Sequence, residues 1–167
     1  IFEAQYPSPN FSNVYQKIVN LKQSNSKIRI GIFYTQNGNE TADKYFYNNN
    51  DINYVRFDSN MKRTPNDGND SSQGSFQDCS SLVEIFVPSS FDRIGNYTFC
   101  GCSSLKKVNF EIPNSVTSIG NCAFYSCSSL TQIKIPNSVT SIGNEAFYSC
   151  SSLTQIEIPN SVTSIGN

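Results

Sequence analysis

The stretch Ala146-Phe147-Tyr148-Ser149-Cys150-Ser151-Ser152-Leu153-Thr154-Gln155-Ile156-Glu157-Ile158-Pro159 repeats Ala123 to Pro136 with one change, Glu157 for Lys134. Leu130 to Leu153, Ile135 to Ile158, Pro136 to Pro159 and Ile142 to Ile165 are each 23 residues apart. Self-similarity at a fixed period of roughly 20–50 residues is the mark of a solenoid, whose single unit cannot bury its apolar face alone. The chain is therefore expected to stack coils rather than fold one globular sheet.

The phase extends upstream. Leu82 to Leu105 is again 23 residues; Leu105 to Leu130 is 25, with the two extra residues between Phe110 and Pro113. Tyr45 to Phe57 lies in phase with Ala146 to Ile158, with Phe46 where Phe147 falls and Asn49 where Cys150 falls. The solenoid is thus expected over 45–167. Residues 58–75, rich in Asn, Asp, Ser and Gly, read as a flexible insertion in its first coil. Residues 1–44 read as an N-terminal cap. Pro7 and Pro9 mark an extended lead-in over 1–10, and a helix is expected over about 12–24 with Val14, Ile18 and Leu21 on one face. A strand is expected over about 27–34. The helix either covers the first coil or binds a partner through its apolar face.

Within a unit, Leu-x-x-Ile-x-Ile is a short strand with Ile133 and Ile135 inward and Gln132 and Lys134 outward by period two. Pro136 ends the strand, and Val139 to Ile142 forms a second extended stretch. Gly143 is expected to turn the corner at positive φ, and Asn144 to Phe147 to make a helical turn with Phe147 inside.

Composition removes several functions. Lys+Arg against Asp+Glu is 8 to 7 up to residue 75 and 4 to 6 after it, so no basic lobe tracks a phosphate backbone or an anionic membrane. No apolar run approaches the ~18 residues of a membrane span. There is no His, which removes the usual general base, the Ser-His and Cys-His nucleophile pairs and the commonest metal ligand. The 13 acids form no spaced motif. Neither an enzyme nor a cofactor is expected. The chain begins with Ile1 and stops inside a repeat at Asn167, which reads as a processed or excerpted piece.

The phrase Ala-Phe-x-x-Cys-Ser-Ser-Leu-Thr-x-Ile-x-Ile-Pro-x-Ser-Val-Thr-x-Ile-Gly, at 123–143 and 146–166, resembles the BspA-like leucine-rich repeats. These occur in surface proteins of anaerobic bacteria and parasitic protists. The resemblance is strong over 76–167, weak over 45–75 and absent before Lys27. It implies a right-handed leucine-rich-repeat solenoid of the α/β class with a parallel sheet on its concave face. It also implies cell-surface adhesion or host-protein binding, and it carries no catalytic residue to transfer.

Cys79, Cys102, Cys127 and Cys150 share one repeat phase. Stacking sets their Cα atoms roughly 5 Å apart, but parallel Cβ vectors oppose bonding, so a ladder of buried thiols is expected. Their linear spacing opposes tetrahedral zinc. Cys100 and Cys122 lie off that ladder on adjacent coils; either they form a disulfide, which would imply an oxidising compartment, or they are unrelated thiols. N-x-Ser/Thr sequons stand at Asn10, Asn39, Asn69 and Asn96.

Two outward columns make a candidate recognition stripe. One runs Tyr54, Glu84, Lys107, Gln132, Gln155; the other runs Arg56, Phe86, Asn109, Lys134, Glu157. Tyr54, Arg56 and Phe86 have the composition of a binding hot spot, set against the alternative of a solvated sheet face. The leading expectation is a cell-surface module binding a host or matrix protein through this stripe, and the rival is an intracellular interaction scaffold. Leu153, Ile156, Ile158, Val162 and Ile165 face no following coil, so a homodimer through that end is also expected.

Overall fold

The computed structural model describes residues 2–6, 11–25, 30–34, 46–59, 61–62, 74–108 and 112–167. Two parallel sheets run along the stack. The first contains β1 (Phe2–Tyr6), β2 (Ile30–Tyr34), β3 (Ile52–Phe57), β4 (Glu84–Phe86) and β6 (Lys107–Val108), neighbours in that order. The second contains β5 (Arg93–Ile94), β7 (Ser118–Ile119), β8 (Ser141–Ile142) and β9 (Ser164–Ile165). Each two-residue strand of β5, β7 and β8 turns Ile inward and Arg or Ser outward, the period-two alternation of a half-buried strand.

The helix α1 (Phe11–Ser24) buries Ile18 of the expected face but not Leu21, and the Val14 side chain lies outside the described residues. Leu21 is 47% exposed, and Tyr15, Ile18 and Val19 are the buried residues. Anchors at both ends set this rotation. The Tyr15 hydroxyl donates to Asn49 Oδ1 at 2.9 Å, and Lys22 Nζ donates to the Asp51 carbonyl at 2.7 Å. The Tyr15 ring meets Phe46, the first ring of the core stack, edge-on at 6.4 Å. The lead-in is more than extended: Phe2–Tyr6 pairs residue for residue with Ile30–Tyr34, and β2 pairs with β3 in turn. Between β2 and β3 the register skips Asn53, whose Oδ1 accepts from the Ile30 N–H at 2.9 Å and whose Nδ2 donates to the Ser81 carbonyl at 3.3 Å.

The first sheet stops at β6. Residues 130–135 and 153–158, expected as strands, carry no regular ladder, although Leu130 and Ile135 are buried. Those coils are held from their other edges. On one side β7, β8 and β9 pair. On the other, Ser129 N–H donates to the Ser103 carbonyl and Ser152 N–H to the Ser128 carbonyl, each at 3.2 Å.

The core is a column of rings. Phe46, Phe76, Phe99, Phe124 and Phe147 stack in succession at 5.3, 6.0, 5.7 and 5.5 Å with interplanar angles of 20° or less. The helical turn that carries each ring forms a third ladder. Tyr97, Cys122 and Glu145 in one column, and Asn48, Asp78, Ser126 and Ser149 in another, hold φ between 51° and 58°; Gly101 is at 73°. A non-glycine residue in that region costs on the order of 1 kcal/mol. The return is directional: the N–H groups of Tyr97, Cys122 and Glu145 donate to the carbonyls of Asn121, Asn144 and Asn167 in the next coil at 2.7–2.9 Å. Those of Asn48, Asp78, Gly101 and Ser126 donate forward in the same way.

Gly143 is not among the positive-φ residues. Its missing side chain serves close approach instead, since a Cβ there would stand 2.4 Å from Asn121 N and 2.5 Å from Asn121 Oδ1. Those atoms belong to an asparagine ladder. Asn96 Oδ1 accepts from Asn121 N–H at 2.7 Å, and Asn121 Oδ1 accepts from Asn144 N–H at 2.8 Å.

The four in-phase cysteines are buried free thiols. Cys79, Cys102, Cys127 and Cys150 donate to the carbonyls of Phe46, Phe76, Phe99 and Phe124 at 2.9, 3.1, 3.2 and 3.2 Å. Burial pushes the Cys79 thiol from 9.0 up to about 12, with hydrogen bonding at Asn49 opposing and the nearby Asp78 carboxylate adding to the rise. Cys102 and Cys127 are raised well above the ordinary value, again chiefly by burial.

Two outcomes are expected. Phe124→Ala should lower stability by about 3–5 kcal/mol in urea unfolding, and a loss as small as that of an exposed-site change would remove the ring column as the core. The ladder thiols should resist iodoacetamide in the folded protein and react on denaturation, as read by mass spectrometry. Because unfolding frees a thiol that ionises near its ordinary value, the stability held by Cys79 is complete below pH 9.0 and falls as pH rises from there toward about 12. A denaturation midpoint flat through that window would contradict the ladder.

Candidate functional site

The outward columns of the first sheet are set by strand register. Tyr54 pairs with Glu84 and Glu84 with Lys107, while Arg56 pairs with Phe86. Parallel neighbours stand ~4.8 Å apart, so each column is a continuous row. Asn109 lies outside the described residues, as do the sequons at Asn10, Asn39 and Asn69. Gln132, Lys134, Gln155 and Glu157 are exposed but lie in the coils where the ladder has stopped.

Tyr54 is the departure from expectation, being only 8% exposed. Its ring lies across the backbone of Gly31, where a Cβ would sit 1.9 Å from Tyr54 Cζ, and it meets Phe86 edge-on at 6.1 Å and 85°. Tyr54 is thus the floor beneath Phe86 rather than a contact in its own right. What solvent meets is the exposed Arg56 side chain next to a half-buried Phe86, flanked by the half-buried Glu84. An exposed cation in register with a half-buried aromatic side chain has the composition of a protein-binding surface.

The remaining predicted residues lie on the helical-turn face. Cys122 is buried; its thiol donates weakly to Glu145 Oε2 at 3.8 Å. Cys100 is half-buried, and both thiols are free. Burial pushes Cys100 up to about 11, with the Asp78 and Cys122 charges adding to it. Burial also raises Cys122, with the Tyr97 hydrogen bond opposing. Neither is the low-pKa thiolate that nucleophilic chemistry needs. Asn96 Oδ1 is engaged by Asn121 N–H, and Thr98 of the same sequon is fully buried with its hydroxyl on the Gly95 carbonyl at 3.0 Å.

This face also holds residues outside the expected stripe. Tyr125 and Tyr148 stack at 5.2 Å and 17°, and Tyr148 is 57% exposed. Their shared phase, one residue after Phe124 and Phe147, is the sequence signal that identifies them. Beside the second sheet runs an open groove of about 540 Å³, lined by Asn96, Asn121, Asn144, Ser118, Ser141 and the backbone between them. Among the described residues, no three Cys, Asp or Glu side chains gather as a metal site, and no helix is long and apolar enough to cross a membrane.

The repeat pattern described as the BspA type leucine rich repeat region matches residues 69–167 in six copies, more than half of the chain. No curated protein matches. Among solved structures, a leucine rich repeat protein of T. pallidum is 30% identical with a TM-score of 0.58, over 82% of this chain and 57% of that one. A leucine-rich repeat protein from Bacteroides ovatus is 31% identical with a TM-score of 0.50, over 70% of this chain and 26% of that one. A leucine rich cell surface protein from Faecalibacterium prausnitzii, 23% identical with a TM-score of 0.51 over 86% of this chain and 41% of that one, shares the fold. The chain thus spans little more than half of the T. pallidum protein and about a quarter of the Bacteroides one. With its stacked rings, paired short strands and six matched repeats, the chain belongs to the BspA-type leucine-rich repeat family.

Proposed function

We propose that the chain is a non-enzymatic protein-binding module of a cell surface, recognising a host or matrix protein through the outward columns of its first sheet. The observation that carries this is the Arg56–Phe86 pair, held in register by β3 and β4 and floored by Tyr54. The absence of His from the sequence and the raised thiols leave the chain poorly equipped for covalent chemistry. The similar fold of a bacterial protein described as a leucine rich cell surface protein supports the location.

A disulfide between Cys100 and Cys122 and a glycan on Asn96 are the covalent marks this route would leave. The glycan would have to be added before the coil closes, because Thr98 is buried in the fold. The six free thiols are the observation that favours the second reading, an intracellular interaction scaffold. Self-association of two copies through the apolar side chains of the last coil, where Ile158 and Ile165 are 41% and 60% exposed, belongs to the same proposal.

Wild-type protein is expected to bind a surface coated with matrix protein, and Arg56→Glu to bind it roughly tenfold more weakly with an unchanged melting temperature. Equal binding by the variant removes the stripe. Intact mass before and after reduction, on protein from its native source, separates the two locations: two protected cysteines support the surface, and six alkylated ones the scaffold. Sedimentation velocity should show self-association that Ile165→Asp abolishes.

A further inference from the structure

The helical turns present a face whose chemistry differs from that of the sheet. Tyr97, Tyr125 and Tyr148 lie on it with the exposed carboxylate of Glu145 among them. Backbone bonds join these groups: the Tyr125 N–H donates to the Cys122 carbonyl at 3.2 Å and the Tyr148 N–H to the carbonyl of Glu145 at 3.1 Å. Among the described residues the Glu145 carboxylate has one hydrogen bond, the long one from the Cys122 thiol. Asp78 adds a second carboxylate on the other left-handed column of the turns, three coils earlier and beside Cys100.

No cation answers these acids. The turn segments 74–79, 95–102, 120–127 and 143–150 contain no Lys or Arg. The Lys22–Asp51 ion pair lies on the N-terminal helix, away from these turns. A carboxylate on a face that also carries three tyrosines, with stacked aromatic surface 57% exposed at Tyr148, offers what a guanidinium needs: a charge partner, hydroxyl acceptors and π-surface. An ammonium uses the charge but not the planar stacking. A neutral or anionic ligand would leave the carboxylate unanswered.

We propose that the turn face around Tyr97, Tyr125, Tyr148 and Glu145 docks an arginine-bearing segment of a protein partner. This rests on the protein-binding reading but assigns a second face, built by the helical turns rather than by the strands that carry Arg56 and Phe86. A partner engaging both faces would gain avidity from their fixed separation on a rigid stack.

The probe is a short acetylated, amidated peptide of alternating glycine and arginine, titrated into the whole chain and followed by amide NMR shifts. A matched peptide with citrulline for arginine keeps the shape without the charge. The expected result is saturable shifts confined to residues 97, 122–126 and 145–149, weakened by added salt and absent with citrulline. Glu145→Gln and Tyr148→Ala, both exposed positions, should each weaken binding roughly threefold with the remaining spectrum unchanged. Arg56→Glu should leave peptide binding as it is, so failure of the sheet face and failure of this face are read separately. No shifts, the same shifts with citrulline, or wild-type affinity in both turn variants would each overturn the proposal.

Discussion

The structure depends on hydrogen bonds that all point the same way between neighbouring turns. Every left-handed residue of the helical segment through Glu145 sends its N–H forward into a carbonyl of the following coil. The geometry that places Phe inside also turns those N–H groups along the stack, which is why residues as unlike as Tyr97, Cys122 and Glu145 accept an unfavourable φ. Each coil thus satisfies its backbone with the next and has little to gain alone. In such an array stability is a sum over interfaces, and the ring stack is the apolar half of each interface.

The thiol and asparagine ladders solve the same problem at two corners. Each adds a side-chain hydrogen bond between coils at a corner where the strands do not pair: the thiols give the Phe carbonyls a second donor, and the asparagines give backbone N–H groups an acceptor. At the buried corner a Cys side chain donates to the Phe carbonyl of the preceding coil, and its apolar character makes it tolerable where an unpaired hydroxyl would be penalised. At the open corner Asn Oδ1 accepts the N–H of the next Asn, and the preceding glycine clears the space. Cys and Gly in these phases are therefore positions of backbone satisfaction rather than of reactivity.

How much of this is legible in the sequence follows from what repeats. The solenoid, the inward Ile and Phe, the thiol ladder and the pairing of Arg56 with Phe86 all follow from phase, because a column is the same position counted once per coil. The left-handed columns do not follow, since one runs Tyr97, Cys122, Glu145 and the other Asn48, Asp78, Gly101, Ser126, Ser149, and only Gly101 is glycine. Nor does the burial of Tyr54, which depends on Gly31 in a coil that the repeat phrase does not reach. The N-terminal strand is hidden for the same reason: Phe2–Tyr6 has no in-phase copy, and pairing rather than pattern makes it part of the sheet.

The same division separates scaffold from function. Inward columns are uniform: Phe stacks on Phe and thiol follows thiol, because each must match the coil on either side. Outward columns escape that constraint and vary, as in Tyr47, Gln77, Cys100, Tyr125, Tyr148 along one line of turns. A parallel stack converts this freedom into surface, since neighbouring outward residues are held ~4.8 Å apart whatever their identity. Recognition by such a chain is written across coils rather than along the sequence. Arg56 meets Phe86 through pairing of strands whose members stand thirty positions apart in the chain, and Tyr125 meets Tyr148 through one turn of the stack. Binding faces can therefore change by single substitutions without disturbing the rings that hold them.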